Sequence, residues 1–246
     1  MTTLSPPILL IADSHISREE GDERAMIEAL EGVRPDRWSA LYLLGDVFHY
    51  LIGDKKFLTP GIEATIEAFR RVKERGVPTY YVEGNRDFYL KGSFLEPSFT
   101  AVELAFQIET PAGRYFLTHG DRINDRDYPY RFWRFVSKNP IAFAAMKAVP
   151  ERAARKFVSN VEAKLHKTNF KHKYRIPEEL LLAFAAKRWA EGDRMVLFGH
   201  FHNEWRRDEE DGRGVAVVPA WCDTGKIGII DRQGRYETAP RTVLTA

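Results

Sequence analysis

Cysteine is nearly missing from this chain: Cys222 stands alone among 246 residues. One thiol cannot form an internal disulfide, so stability must come from packing, and the usage fits a reducing compartment. Long apolar runs are missing too. No window approaches the roughly 18 consecutive apolar residues that a membrane-spanning helix needs. Met1 to Pro7 carry no basic stretch ahead of an apolar core, so no secretory signal is expected and the cytoplasm is the expected compartment. There are no low-complexity tracts and no internal repeats, which excludes solenoids. What is there, 44% hydrophobic residues, suffices for a proper core in one domain or in a domain with an insertion.

The small net charge of +2 conceals an asymmetry. Between Arg122 and Arg175 stand 14 Lys or Arg against 4 Asp or Glu, so the remainder is acidic. A basic segment attracts phosphate, anionic lipid or nucleic acid.

The chemistry-bearing residues come in five short clusters: Asp13-Ser14-His15, Gly45-Asp46, Gly84-Asn85-Arg86-Asp87, His119-Gly120-Asp121 and Gly199-His200-Phe201-His202. Each follows an apolar run that reads as a β-strand: Ile8–Ala12, Leu41–Leu44, Thr79–Val82, Tyr115–Thr118 and Met195–Phe198. Any one cluster alone reads as a turn or a helix cap. Five in order, holding four of the seven histidines, point to a shared site at strand ends, where α/β folds place their chemistry. Hard carboxylate and carboxamide oxygens mixed with imidazoles suit two divalent transition ions.

The set resembles the calcineurin-like metallophosphoesterase superfamily, whose pattern is Asp-x-His, Gly-Asp, Gly-Asn-(His/Arg)-(Asp/Glu), His-Gly and Gly-His-x-His. Within it, the chain is similar to the UDP-2,3-diacylglucosamine diphosphatases of lipid A synthesis. Arg86 after Asn85, the run Gly45-Asp46-Val47-Phe48 with Ile52-Gly53-Asp54, and Ala220-Trp221 with Thr224-Gly225 carry that narrower likeness. His49 departs from it, standing where those enzymes usually have Glu. The resemblance implies an α/β fold of two packed sheets flanked by helices. It also implies two divalent ions, with Mn²⁺ expected. One would be held by Asp13, His15 and His202, the other by Asn85, His119 and His200, with Asp46 shared. The implied catalytic set is Asp46, Asn85, Arg86, His119 and His200. Bound divalent ions activate water and clamp phosphoryl oxygens. Arg86 is expected at the substrate phosphate, Asp87 behind a histidine ligand, and Asp121 either against backbone or cap or at the substrate.

Glu23–Val33 and Gly61–Arg75 have helical periodicity between strand runs, a βαβ pattern that predicts parallel strands. Residues 101–118 read as two strands about a turn at Thr110–Gly113, and Gly214–Val218 and Lys226–Ile230 as later strands. Residues 122–190 break the alternation with four helical segments, Tyr130–Val136, Ala142–Val149, Ala153–Leu165 and Glu178–Ala190, punctuated by Pro140, Pro150 and Pro177. They are expected to form a cap inserted into a core of residues 1–121 and 191–246, although Glu178–Ala190 also reads as a core helix leading into Met195. Trp133 and Phe135 are expected to line an acyl cleft, with basic neighbours holding a diphosphate. The polar run from Ser159 to Lys173 suits the cap of such enzymes, and His166 and His172 read as solvated. The expected partners are a lipid-linked UDP-sugar and the inner membrane surface, bound peripherally. No nucleic acid and no obligate protein partner are expected. The competing readings are a metallophosphoesterase acting on another nucleotide diphosphate or phosphodiester, and a nucleic-acid-binding module, which has no use for seven metal ligands.

Overall fold

A computed structural model describes residues 2–3, 7–169 and 176–245, with side chains left out at 2–3 and 162–169. The chain begins β1 (Thr2–Thr3), β2 (Ile8–Ile11), α1 (Asp22–Glu31), β3 (Ala40–Leu43), β4 (Leu51–Ile52), α2 (Pro60–Glu74), β5 (Thr79–Val82) and β6 (Asp87–Phe88). It continues through β7 (Ala101–Glu103), β8 (Ala105–Thr110), β9 (Gly113–Thr118) and the helices α3 (Tyr128–Ser137), α4 (Pro140–Ala148), α5 (Glu151–Asn169) and α6 (Glu178–Ala190). It closes with β10 (Met195–Phe198), β11 (Trp205–Asp208), β12 (Gly214–Val217), α7 (Trp221–Thr224), β13 (Lys226–Ile230) and β14 (Tyr236–Pro240).

Two sheets form the centre. One runs β14-β13-β2-β3-β5-β7, parallel from β2 to β7 with an antiparallel hairpin at its edge. The other runs β1-β8-β9-β10-β12-β11, with β9, β10 and β12 parallel. The pleat explains why β2 and β3 are apolar without alternation: both faces are covered. Leu10, Tyr42 and Val82 face Leu117, Leu197 and Ala216 of the other sheet. Leu9, Leu41 and Tyr81 point outward onto Met26 and Leu30 of α1 and Ile66 and Phe69 of α2. On the far side, Leu181 and Ala185 of α6 pack on Val196, Phe198, Val215 and Val217. The result is four layers, helix–sheet–sheet–helix, as the α/β sandwich reading expects. Helix α6 is one of those layers, so Glu178–Ala190 takes the core role.

Helices α3, α4 and α5 lie apart from these layers. Prolines stand in the first turns of α3 and α4, where a missing N–H costs nothing, and Asp127 and Asn139 cap them by accepting from Tyr130 N (3.0 Å) and Ile141 N (2.8 Å). Their apolar contacts run to Ile52, Phe57 and Phe88, through Phe143, Met146, Val149, Ala154 and Val158. Side-chain bonds to backbone carbonyls fasten them: Lys56 Nζ donates to Met146 O and Val149 O, Arg155 to Leu58 O, and the Tyr89 hydroxyl shares its proton between Ser137 O (2.6 Å) and Asn139 O (2.8 Å). Among the described residues, no helix is long and apolar enough to cross a membrane. The readings placed on Lys164, His166, Lys167, Thr168, Asn169, Lys171, His172 and Lys173 lie outside the described side chains.

Candidate metal centre

The five clusters sit at the carboxyl ends of β2, β3, β5, β9 and β10, where the parallel strands of both sheets stop at one edge. Asp13 Oδ1 lies 3.9 Å from His15 Nε2 and 3.6 Å from His202 Nε2, and the two imidazole nitrogens are 3.3 Å apart. A few ångströms away, Asp46 Oδ1 is 3.6 Å from His119 Nε2, which is 3.1 Å from Asn85 Oδ1. The His200 ring stands edge-on to His119, centroids 5.0 Å apart. Donor atoms of Asp13, Asp46 and His119 lie within 4.8 Å of one another, so Asp46 joins the two groups. All seven expected ligands are therefore brought together.

The donor set fits divalent cations. Asp13 and Asp46 are completely buried, and burying two carboxylates so close is costly without a compensating cation. Burial disfavours a charged His119, yet the Asp46 and Asp13 carboxylates outweigh it and hold the imidazole pKa above its ordinary value. His119 Nδ1 donates to Leu44 O (2.7 Å) and His202 Nδ1 to Asp223 Oδ2 (2.5 Å), which leaves each Nε2 as the lone-pair nitrogen facing the carboxylates. The glycines of the motifs make room. A Cβ on Gly45 would lie 2.5 Å from His119 Nδ1, and one on Gly84 would press into the Asp46 carboxylate, 2.8 Å from the Asp46 amide nitrogen.

Asp87 corrects one expectation. Among the described residues it supports no histidine. Its Oδ2 accepts from the backbone N–H of Asp46 (3.0 Å) and Gly84 (2.8 Å), and its Oδ1 from the Tyr81 hydroxyl (2.9 Å). Asp87 thus ties the β3 and β5 loops together. Burial, with the nearby Asp46 charge, pushes its pKa up to about 7.

Arg86 is buried rather than a surface arginine: its amide donates to Asp46 Oδ1 (2.8 Å), its Nη1 to His49 O (2.9 Å), and its Nε is 3.7 Å from Asp46 Oδ2. Because the backbone carbonyl of His49 holds it, the change at that position leaves this contact intact. Asp121 faces α3, accepting from the Tyr130 hydroxyl and from Arg134 Nη1 (2.9 Å). Burial alone would raise its pKa, but the His119 and Arg134 charges bring it below the usual carboxylate value. Lys138 donates to Gly84 O (2.8 Å) and lies over the Phe88 ring, and burial lowers its pKa.

Helix α3 separates two cavities. One, of about 480 Å³, is lined by Arg122, Asn124, Tyr130, Arg131, Arg134 and Lys138. The other, of about 230 Å³, is lined chiefly by Tyr50, Ile52, Phe88, Trp133, Phe143 and Met146. Trp133 is in the apolar cavity as expected. Phe135 is not: it borders the basic cavity on the other side of α3, largely exposed. Helical geometry separates the pair, because residues two apart point away from each other. Sequence alone places Lys138 and Tyr130 only in the basic aromatic segment, and it gives no site role to Asp223 and Cys222. The last two lie inside the stretch from Ala220 to Gly225 whose flanks carry the resemblance.

The family model for calcineurin-like phosphoesterases matches residues 6–204. The chain belongs to that family and is a metal-dependent phosphoester or diphosphate hydrolase. Within the family it is similar to UDP-2,3-diacylglucosamine hydrolases. One from Pseudomonas putida strain KT2440 is 31% identical over 243 residues, covering 95% of this chain and 98% of the relative. Another, from Edwardsiella ictaluri, is 29% identical over 231 residues, covering 92% and 89%. A dimetal phosphatase from Danio rerio shares the fold, with a TM-score of 0.51 at 15% identity, covering 97% of this chain and 99% of that one.

Proposed function

We propose that the chain cleaves the diphosphate of a UDP-2,3-diacylglucosamine-like lipid, giving UMP and the lipid 1-phosphate. The observation that carries this reading is the pair of cavities astride α3, one basic and one apolar, beside the metal edge. A substrate with a charged diphosphate and acyl chains needs both. The relatives named above are hydrolases of that substrate.

Asp13, His15 and His202 would hold one ion, Asn85, His119 and His200 a second, and Asp46 both. Manganese is the first ion to try, because these seven donors are oxygens and imidazole nitrogens. When bound, such ions activate water and offset phosphoryl charge. Arg86, fixed by Asp46 and His49 O, presents a planar guanidinium suited to a phosphate beside the metals. Asp121 acts on the substrate side by keeping Tyr130 and Arg134 at the rim. Trp133 takes acyl carbon. Tyr128, Phe132, Phe135 and Ile141 expose a broad apolar face on α3 and α4 beside Arg131, which fits peripheral attachment to an anionic membrane surface.

The test compares catalytic efficiency on UDP-2,3-diacylglucosamine and on UDP-glucosamine without acyl chains, with Mn²⁺, identifying UMP as product. Buried methylenes contribute about 0.8 kcal/mol each, so even a few predict a preference of roughly a hundredfold or more. A ratio near one would leave a general nucleotide-diphosphate hydrolase.

A further inference from the structure

The short turn α7 reaches back beneath one group of histidines. Its Asp223 accepts from His202 Nδ1, which fastens the turn to that imidazole. Its Cys222 N–H lies 3.4 Å from Asp13 O. The Cys222 sulfur and one ring nitrogen each of His15 and His202 all fall within 4.8 Å of one another. Asp13 Oδ1 borders the same two imidazoles, at 3.9 and 3.6 Å. The site so formed contains a carboxylate oxygen, two imidazole nitrogens and a thiol sulfur, to which the shared Asp46 oxygen adds a fifth donor, a number that zinc-type ions accept.

The distances allow it. Metal–sulfur and metal–nitrogen bonds of about 2.3 and 2.0 Å put two donors of one ion at most about 4.3 Å apart. The Cys222 side chain is exposed and can close the remaining gap. Two of its neighbours, His15 and His202, are almost completely buried and held in place.

We propose that Cys222, as thiolate, is a further ligand of the ion held by Asp13, His15 and His202. Binding breaks the S–H bond, gives the proton to solvent and forms a sulfur–metal bond, with no change of oxidation state. The two halves of the centre then differ in softness. The half containing sulfur selects zinc- or cobalt-like ions, and the half built from Asn85, His119 and His200 takes harder ions such as manganese. The proposal rests on the metal-centre reading above.

Cobalt loading of the full chain with a phosphine reductant free of thiols tests it, because the chain has a single cysteine and any thiolate signal is then its own. The expected result is a near-ultraviolet thiolate-to-cobalt charge-transfer band. Cys222→Ser and Cys222→Ala should lack the band while keeping the histidine-type visible bands and the circular dichroism of the fold. Dialysis against equal Zn²⁺ and Mn²⁺, read by elemental analysis, should show the zinc-to-manganese ratio falling in the variants. The fall should be at least the roughly tenfold that loss of a partner outside the ligand set costs. A wild-type protein that holds cobalt without the band overturns the role of Cys222 alone. A protein that takes up no divalent ion overturns this proposal and the metal-centre reading together.

Discussion

Asp13, His15, Asp46, His200 and His202 all have positive φ, between 45° and 68°. Each such residue costs on the order of 1–3 kcal/mol, so five of the seven expected ligands are held in backbone conformations that the surroundings must enforce. Part of the enforcement is visible. Asp87 binds the amides of Asp46 and Gly84, and Asp13 Oδ2 accepts from the His200 amide at 2.6 Å. The fit leaves no room at Gly84. Gly84→Ala is therefore expected to displace the Asp46 carboxylate by about 1 Å and to lower kcat/KM roughly a hundredfold. Bound metal, measured by elemental analysis, should fall in parallel. A Gly84→Ala enzyme with full metal content and wild-type kinetics would show that the Asp46 loop yields easily.

Helix α3 is the element that decides specificity in this reading. Its Arg134, Tyr130 and Lys138 side chains, which the sequence presents as part of a basic aromatic segment, are spent on Asp121 and Gly84 O. Part of the local excess of positive charge therefore holds α3 against the loops of the ligand clusters. Trp133 and Phe135 point to opposite sides of the helix. Trp133→Ala should reduce the preference for acylated substrate by roughly tenfold, through lost apolar burial, with little change on the unacylated one. Phe135→Ala should leave the preference unchanged. Equal effects from the two variants would mean that the apolar cavity is packing between helices.

For the whole molecule, the metal edge is where the two sheets meet, so an ion bound there ties both together. Ligand binding to the folded state alone stabilises it by about 2.7 kcal/mol at a hundredfold excess over Kd. For a chain of this size that corresponds to roughly 5–10 °C in Tm. Stripping the protein with a chelator and restoring Mn²⁺ should reproduce that shift in a thermal melt. Identical melting with and without the ion would deny the metal centre any share in holding the sheets.

The sequence by itself determined the five strands that end in the ligand clusters and the parallel sense of β2, β3 and β5, because short apolar runs ending in polar clusters are local signals; it read residues 101–118 as two strands where the structure has three, β7, β8 and β9, with β7 in the other sheet. It also determined helices α1 and α2, whose apolar spacing is local in the same way. Other features depend on contacts between distant segments, which no local pattern encodes. Tertiary structure alone decided that α6 belongs to the core, since its apolar residues meet a sheet face built from β10 and β12. It turned Asp87 toward two backbone amides instead of a histidine, because folding brings the β3 loop 41 residues back beside it. It placed Trp133 and Phe135 in different environments, since the neighbours of a helix face are set by packing. It also carried Cys222, a lone residue with no motif of its own, to within reach of His15, more than two hundred positions away in the chain.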